Sequence, residues 1–82
     1  MATDRRTRTQ IICDILNLCA KDEGKNKTAI VYGANLNFKT VQSYIKMLLE
    51  KGYISNGSRY VTTPAGKDLI KSLKEAIGMM GV

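Results

Sequence analysis

Apolar residues recur at helical spacing in the first part of the chain. Between about Thr9 and Lys21 they follow one another at intervals of three and four residues, which places them on one face of an α-helix. The polar stretch after this helix contains Gly24 and ends it. The apolar positions of this first helix are Ile12, Ile15, Leu16 and Cys19.

A short second helix is predicted between two residues that favour helix ends. Asn26 is a good N-cap for residues 27–32, and Gly33 then closes the segment. Its two aliphatic residues, Ile30 and Val31, are expected to face inward.

The third helix has a marked amphipathic pattern. Asn37 is its N-cap, and Leu36 can pack on Val41 as a hydrophobic staple. Gly52 is expected to be a left-handed cap at the other end. The apolar stripe consists of Phe38, Val41, Ile45, Leu48 and Leu49. The opposite face is polar and carries Lys39, Thr40, Gln42, Ser43 and Lys46.

The spacing of apolar residues changes from a helical to a strand pattern after the third helix. Two short β-prone runs, residues 53–55 and 59–62, flank Asn56-Gly57-Ser58. This pattern predicts a β-hairpin, with either a tight Asn-Gly turn or a three-residue loop that ends at Ser58.

A closing helix follows the hairpin. Thr63 and Pro64 match an N-cap and a first helical position. The glycines of residues 78–82 discourage further helix, so the ordered helix is expected to span about 13 to 17 residues. Its apolar positions are Leu69, Ile70, Leu73, Ala76 and Ile77.

The fold class that follows is α+β, mainly α, with three helices, a β-hairpin and a C-terminal helix. The 82 residues fit one domain. We expect residues 1–8 to be a flexible basic N-terminus and residues 78–82 a flexible tail.

Positive charge is concentrated in the middle of the chain. Thirteen lysines and arginines against seven acidic residues give a net charge of +6. The stretch from Gly24 to Thr63 holds six of the positive residues and one acidic residue, Glu50. A polyanion is therefore the first partner to test. The alternative is a solvated surface that only keeps the protein soluble.

Several classes of protein are disfavoured by what the chain contains. No run approaches the roughly 20 apolar residues of a membrane span, and Asp14 interrupts any signal-peptide core, so a cytoplasmic location and no membrane partner are expected. Cys13 and Cys19 are six residues apart on one helix and point about 240° apart, which precludes a disulfide between them. With no histidine and no glycine-rich phosphate loop, we expect no metal, no cofactor, no small-molecule ligand and no enzyme activity.

Two segments carry a resemblance to a known family. Residues 27–38, KTAIVYGANLNF, resemble the helix-turn-helix of small archaeal winged-helix proteins, with Asn37 and Phe38 where the family pattern has Ser and Tyr. Residues 51–54 and 60–66 are similar to the wing and the Thr-x-x-Gly turn of winged-helix regulators. The resemblance implies a winged helix-turn-helix fold, binding of double-stranded DNA as a transcription regulator or a chromatin-associated protein, and dimerisation through the last helix.

On this interpretation the third helix enters the major groove. Thr40, Gln42 and Ser43 are suited to base edges, whereas Lys39 and Lys46 are suited to phosphates. The start of the second helix can hold a phosphate, and the hairpin tip can meet the minor groove or a flanking phosphate. The candidate DNA-binding residues are Lys25, Lys27, Thr28, Asn37, Lys39, Thr40, Gln42, Ser43, Lys46, Asn56, Ser58 and Arg59.

The remaining hypotheses concern the two ends of the chain and the thiols. Arg5, Arg6 and Arg8 form either a basic arm for a neighbouring groove or a solubilising tail. Cys13 is expected to be an inert thiol unless it is exposed near a dimer axis. Tyr32, Tyr53 and Tyr60 are expected to pack in the core or at its edge rather than to stack on unpaired bases. The proposed dimer seam is Leu69, Leu73, Ala76, Ile77 and Met80, although Leu69 and Leu73 could equally cover the monomer core.

A winged helix can also bind protein instead of DNA. A sequence-tolerant chromatin protein and a protein-interaction module that docks on an acidic partner are therefore kept as alternatives. The module alternative predicts no appreciable duplex binding, whereas the chromatin alternative predicts similar affinity for unrelated duplexes.

Overall fold

The computed structural model describes residues 6–21 and 23–79, with side chains in the last helix as far as Ala76. This part of the chain is mainly helical, with four helices and one two-stranded antiparallel hairpin, which confirms the predicted class and order. The elements are α1 (Arg8–Ala20), α2 (Lys27–Ala34), α3 (Phe38–Glu50), β1 (Ile54–Asn56), β2 (Tyr60–Thr62) and α4 (Pro64–Met79).

Each helix begins at a side-chain cap. The side-chain oxygens of Asn26 and Asn37 accept hydrogen bonds from the third amide of α2 and of α3, at 2.8 and 2.7 Å. The Thr63 hydroxyl accepts from the amide of Gly66 in the first turn of α4, at 3.1 Å. These three caps were predicted from the sequence. The cap of α1 was not: Thr7 and Gln10 form a reciprocal capping box there.

The end of α2 differs from the prediction. The helix runs through Gly33 to Ala34, and Asn35 is the left-handed residue that ends it, with φ of 56°. Asparagine tolerates this conformation better than most residues. Gly33 instead lets α1 and α2 approach, because a Cβ at this position would lie 2.8 Å from a methyl carbon of Leu18. At the end of α3, Gly52 takes the positive φ that was predicted.

The hairpin turn is also placed differently. Asn56 pairs with Tyr60, so the loop contains Gly57, Ser58 and Arg59. The prediction of a tight Asn-Gly turn is therefore wrong. The loop does have three residues, but it lies one residue later than predicted. Ile54 and Thr62 are paired and buried, and burial of one strand face fixes the register of a hairpin.

A third segment joins this small sheet. The amide of Lys25 donates to the carbonyl of Tyr60 at 3.0 Å, and the amide of Tyr60 donates to the carbonyl of Lys25 at 2.9 Å. The loop between α1 and α2 is thus held against β2. The sequence did not predict this bridge, since the pairing joins residues that are far apart in the chain.

The core lies between the four helices and the inner face of the hairpin, and α4 contributes Ile70 to it. Its largest fully buried side chains are Ile15, Leu16, Ile30, Leu48, Val41 and Cys19. The buried hydroxyl of Thr62 donates to the carbonyl of Leu16 at 2.6 Å, which ties β2 to α1. Among the described residues, no helix is long and apolar enough to cross a membrane.

Both cysteines belong to this core. Cys13 is only 6% exposed, and the Asn17 amide donates to its sulfur at 3.4 Å. Burial raises the pKa of the Cys19 thiol to about 11, an effect that the nearby charge of Lys25 only partly offsets. Because Cys13 is buried, the structure supports an inert thiol there over an exposed, oxidisable one. Residues 6–21 and 23–79 hold no cluster of three acidic or cysteine side chains that could bind a metal ion.

Candidate nucleic-acid interface

The outer face of α3 is a continuous polar surface. Val41, Ile45 and Leu48 hold the opposite side of the helix in the core. Thr40 is half-buried and lies at the margin of the outer face. The polar face is solvent-exposed along about two turns and consists of Lys39, Gln42, Ser43 and Lys46. We call these four residues the α3 polar face. Glu50 is exposed beyond it, at the C-terminal end of the helix.

Two residues that were predicted to contact DNA, Asn37 and Ser43, make hydrogen bonds within the protein. The side-chain oxygen of Asn37 caps the helix by accepting from the amide of Thr40. The hydroxyl of Ser43 donates to the carbonyl of Lys39 at 3.4 Å, a long hydrogen bond on an exposed surface. Asn37 therefore has a structural role, whereas Ser43 is free to exchange this bond for another partner.

A side-chain contact links the first turns of α2 and α3. The ammonium nitrogen of Lys27, at the start of α2, lies 5.3 Å from the ring centroid of Phe38, at the start of α3. Thr28 is exposed next to Lys27, and Lys25 is half-buried where it bridges to Tyr60. Three of the candidate phosphate-binding residues are therefore grouped around the start of α2, next to the start of α3.

Phe38 does not pack in the core as the period of the apolar stripe predicted. Its side chain is 52% exposed. Phe38 is the first residue of α3, and Leu36, before the cap, is the half-buried residue that packs against the core at this end of the helix. The stripe of α3 therefore begins at Val41.

The tyrosines divide into two groups. Tyr53 and Tyr60 are half-buried against the core, as predicted. Tyr32 is 80% exposed, so the packing role predicted for it is wrong. It lies on the outward side of α2 together with Thr28, because residues four apart share a face of a helix.

The hairpin tip is open to solvent. Asn56, Ser58 and Arg59 are all exposed, and a Cβ at Gly57 would meet no atom within 4 Å. The structure thus leaves the three predicted tip residues available for contact. Arg59 lies within the loop rather than in β2, where the sequence placed it.

The arginines near the N-terminus are engaged by the fold. The guanidinium of Arg6 donates to the Asp14 carboxylate at 2.8 Å and to the carbonyl of Ala34 at 2.6 Å. Arg6 thereby joins α1 to the end of α2, which disagrees with both the basic arm and the flexible tail. Arg8 lies in α1, 5.9 Å above the ring of Tyr44. Arg5 lies outside the described residues.

An apolar groove separates α4 from the end of α3. Leu69 and Leu73 are half-buried and line it, and Arg8 and Lys51 lie among its walls. Its volume is about 330 Å³, and its other lining residues are Ile12, Met47, Leu48 and Tyr53. Of the remaining residues predicted for the dimer seam, Ala76 is exposed, whereas the side chain of Ile77 and all of Met80 lie outside the described part of the chain.

Known proteins share this architecture. Residues 5–81 match the family described as winged helix-turn-helix. An uncharacterized protein of Methanocaldococcus jannaschii is 34% identical over 77 residues, which are 93% of this chain and 78% of that protein. A second uncharacterized protein of the same organism is also 34% identical over 77 residues, but these residues cover only 36% of its length.

A solved structure is also similar over most of the chain. The crystal structure of Sso10a-2, a DNA-binding protein from Sulfolobus solfataricus, superposes with a TM-score of 0.79 at 31% identity. The match covers 92% of this chain and 82% of that one.

Proposed function

The chain belongs to the winged helix-turn-helix family, and from this premise we propose that it binds double-stranded DNA with α3 in the major groove. The observation that carries the proposal is the exposed α3 polar face, where two lysines flank a glutamine and a serine. The structural likeness to a DNA-binding protein supports it. A binding role requires no catalytic group.

The dimensions of α3 suit this role. Its 13 residues give a helix of about 20 Å, and a B-DNA major groove is about 12 Å wide, enough to admit one helix. Gln42 can pair with adenine through its amide, and Ser43 can exchange its bond to Lys39 for a base edge. Lys39 and Lys46, which are two turns apart on the same side of the helix, are assigned to phosphates. Thr40, half-buried, contributes only from the margin.

The other candidate residues are assigned to the DNA backbone. The first turn of α2 presents backbone amides and the positive end of the helix dipole to a phosphate, with Lys25, Lys27 and Thr28 around it. The exposed hairpin tip, with Asn56, Ser58 and Arg59, is assigned to the flanking minor groove or its phosphates. These contacts position the protein and carry little sequence information.

A dimer would extend the contact to two half-sites about 34 Å apart. The open groove beside α4 supports this proposal, because an apolar groove of this kind is a suitable seat for a helix of a second copy. Leu69 and Leu73 would be shared between the groove and the seam, and Ala76 would extend the seam along the same side of α4. Ile77 and Met80 continue it in the sequence.

The proposed biological role is transcription regulation at the nucleoid. Sequence-tolerant packing of chromosomal DNA differs from it in one measurable respect, since packing requires similar affinity for unrelated duplexes. Competition between an enriched duplex and random duplexes of equal length distinguishes the two roles.

The test of DNA binding is a salt titration of a fluorescent duplex followed by anisotropy. We expect micromolar or tighter binding at low salt and a steep loss of affinity as salt rises. Lys39→Ala and Lys46→Ala should each reduce the slope of log affinity against log salt by about one. Lys71→Ala, at an exposed position on α4, is the matched control and should leave the slope unchanged.

Two results would reject these assignments. Absence of binding at low salt would remove DNA as the partner and favour the protein-interaction module. A loss of slope in Lys71→Ala equal to that in the α3 variants would show that charge acts without a defined site.

A further inference from the structure

The inference concerns Phe38, whose aromatic ring is half-exposed at the start of α3. Apolar side chains on this helix are otherwise buried or half-buried. Phe38 adds apolar surface to the end of the helix that, in helix-turn-helix proteins, comes closest to the bases. An exposed aromatic ring at this position can pack against an apolar group in the major groove.

The position of Phe38 on the helix gives it a specific neighbour. Gln42 follows four residues later, so the two side chains share a face, with Cβ atoms about 5 to 6 Å apart. Both side chains are exposed. The N-terminal half of α3 therefore presents an aromatic ring and a carboxamide next to each other.

This pair of groups matches the chemistry of an A·T step. Thymine is the base that presents a methyl group in the major groove, and adenine is the base that a glutamine amide binds bidentately. Resting on the proposed DNA binding, we propose that Phe38 contacts a thymine 5-methyl group beside the adenine bound by Gln42. Phe38 is then a specificity-determining residue that the sequence pattern had assigned to the core.

Lys27 contacts the ring from α2. Its ammonium nitrogen lies over one face of Phe38 at 5.3 Å, a distance typical of a cation–π interaction. This contact links the ring to the first turn of α2, and the residue nevertheless remains 52% exposed. The same contact keeps the charge of Lys27 close to the base-reading surface, where a phosphate can share it.

The test compares two duplexes that differ only in the methyl group. One is an alternating A·T duplex, and the other carries deoxyuridine in place of every thymidine. The wild-type protein should bind the thymine duplex at least about fourfold more tightly, the value expected for burial of one methyl group. Phe38→Ala should bind the two duplexes equally, whereas Phe38→Tyr, which keeps the ring, should retain the preference.

Tyr32→Ala is the matched control, since it removes an even more exposed aromatic ring from α2 and should leave the preference unchanged. Thermal unfolding followed by circular dichroism checks that the variants fold, as expected for exposed positions. Equal binding of both duplexes by the wild type, or an undiminished preference in Phe38→Ala, would overturn the role of Phe38 while leaving DNA binding intact. Failure of the wild type to bind either duplex would instead reject the proposed function itself.

Discussion

Gly66 lies in the first turn of α4, against the backbone that leads into β1. A Cβ at this position would collide with the carbonyl oxygen of Tyr53, which also accepts a hydrogen bond from the amide of Thr63. The absence of a side chain therefore allows the Thr63 turn to close on the sheet. The sequence showed the Thr-x-x-Gly spacing but not this contact.

Gly66→Ala should lower the free energy of unfolding by about 2 to 3 kcal/mol, because the added methyl group forces the backbone of the turn apart. Urea unfolding followed by circular dichroism measures the change. Gly57→Ala is the matched control: this glycine is exposed and a Cβ there would meet no atom, so a change within about 0.5 kcal/mol is expected. Equal effects of the two substitutions would contradict the close approach.

Residues whose partners are distant in the chain are the ones that the sequence could not place. The period of three and four residues correctly buried Ile15, Leu16 and Leu48. It misplaced Phe38, because a first helical residue lacks the preceding turn that would direct it inward. It could not pair Arg6 with Asp14 and the carbonyl of Ala34, since that contact depends on how α2 packs on α1.

At the scale of elements, local signals predicted where most helices begin, and packing decided the rest. The N-caps of α2, α3 and α4 follow from one side chain and an amide three residues later, so short sequence patterns suffice. The hairpin register and the bridge from Lys25 to Tyr60 depend on which strand face is buried. The polar face of the candidate site was predictable from period alone, whereas the exposed Phe38 beside it was not.

Substitutions of Asn37 separate its capping role from its proposed role in DNA binding. Asn37→Asp keeps a side-chain oxygen for the amide of Thr40 and favours the helix dipole, so stability should be retained. Its new negative charge at the start of α3 should weaken duplex binding, measured by anisotropy at low salt. Asn37→Ala should instead cost about 1 kcal/mol of stability in urea unfolding. Duplex affinity unchanged in Asn37→Asp would place this helix end away from the DNA.

At the scale of the whole molecule, the protein has two candidate binding surfaces, the α3 polar face and the apolar groove beside α4. The apolar groove lies between α4 and α3, but none of its lining residues belongs to the α3 polar face. A second copy could therefore occupy the groove while α3 stays open.

Ala76→Asp tests the proposed dimer. The residue is exposed in the protomer, so the fold should tolerate the change, yet a carboxylate in an apolar seam should weaken association at least about tenfold. Sedimentation velocity over a range of protein concentrations measures it. Lys71→Asp, on the outer side of α4, alters more charge and should leave association unchanged. A wild-type protein that stays monomeric at high concentration would contradict the dimer.

A titration of the isotope-labelled protein with a duplex, followed by amide chemical shifts, locates the DNA-binding surface directly. We expect the largest shift changes at Lys39, Gln42, Ser43 and Lys46, with smaller changes at the start of α2 and the hairpin tip. The exposed outer side of α4, at Lys67 and Lys71, should be unaffected. Shift changes confined to α4, with none at the α3 polar face, would contradict DNA binding through α3.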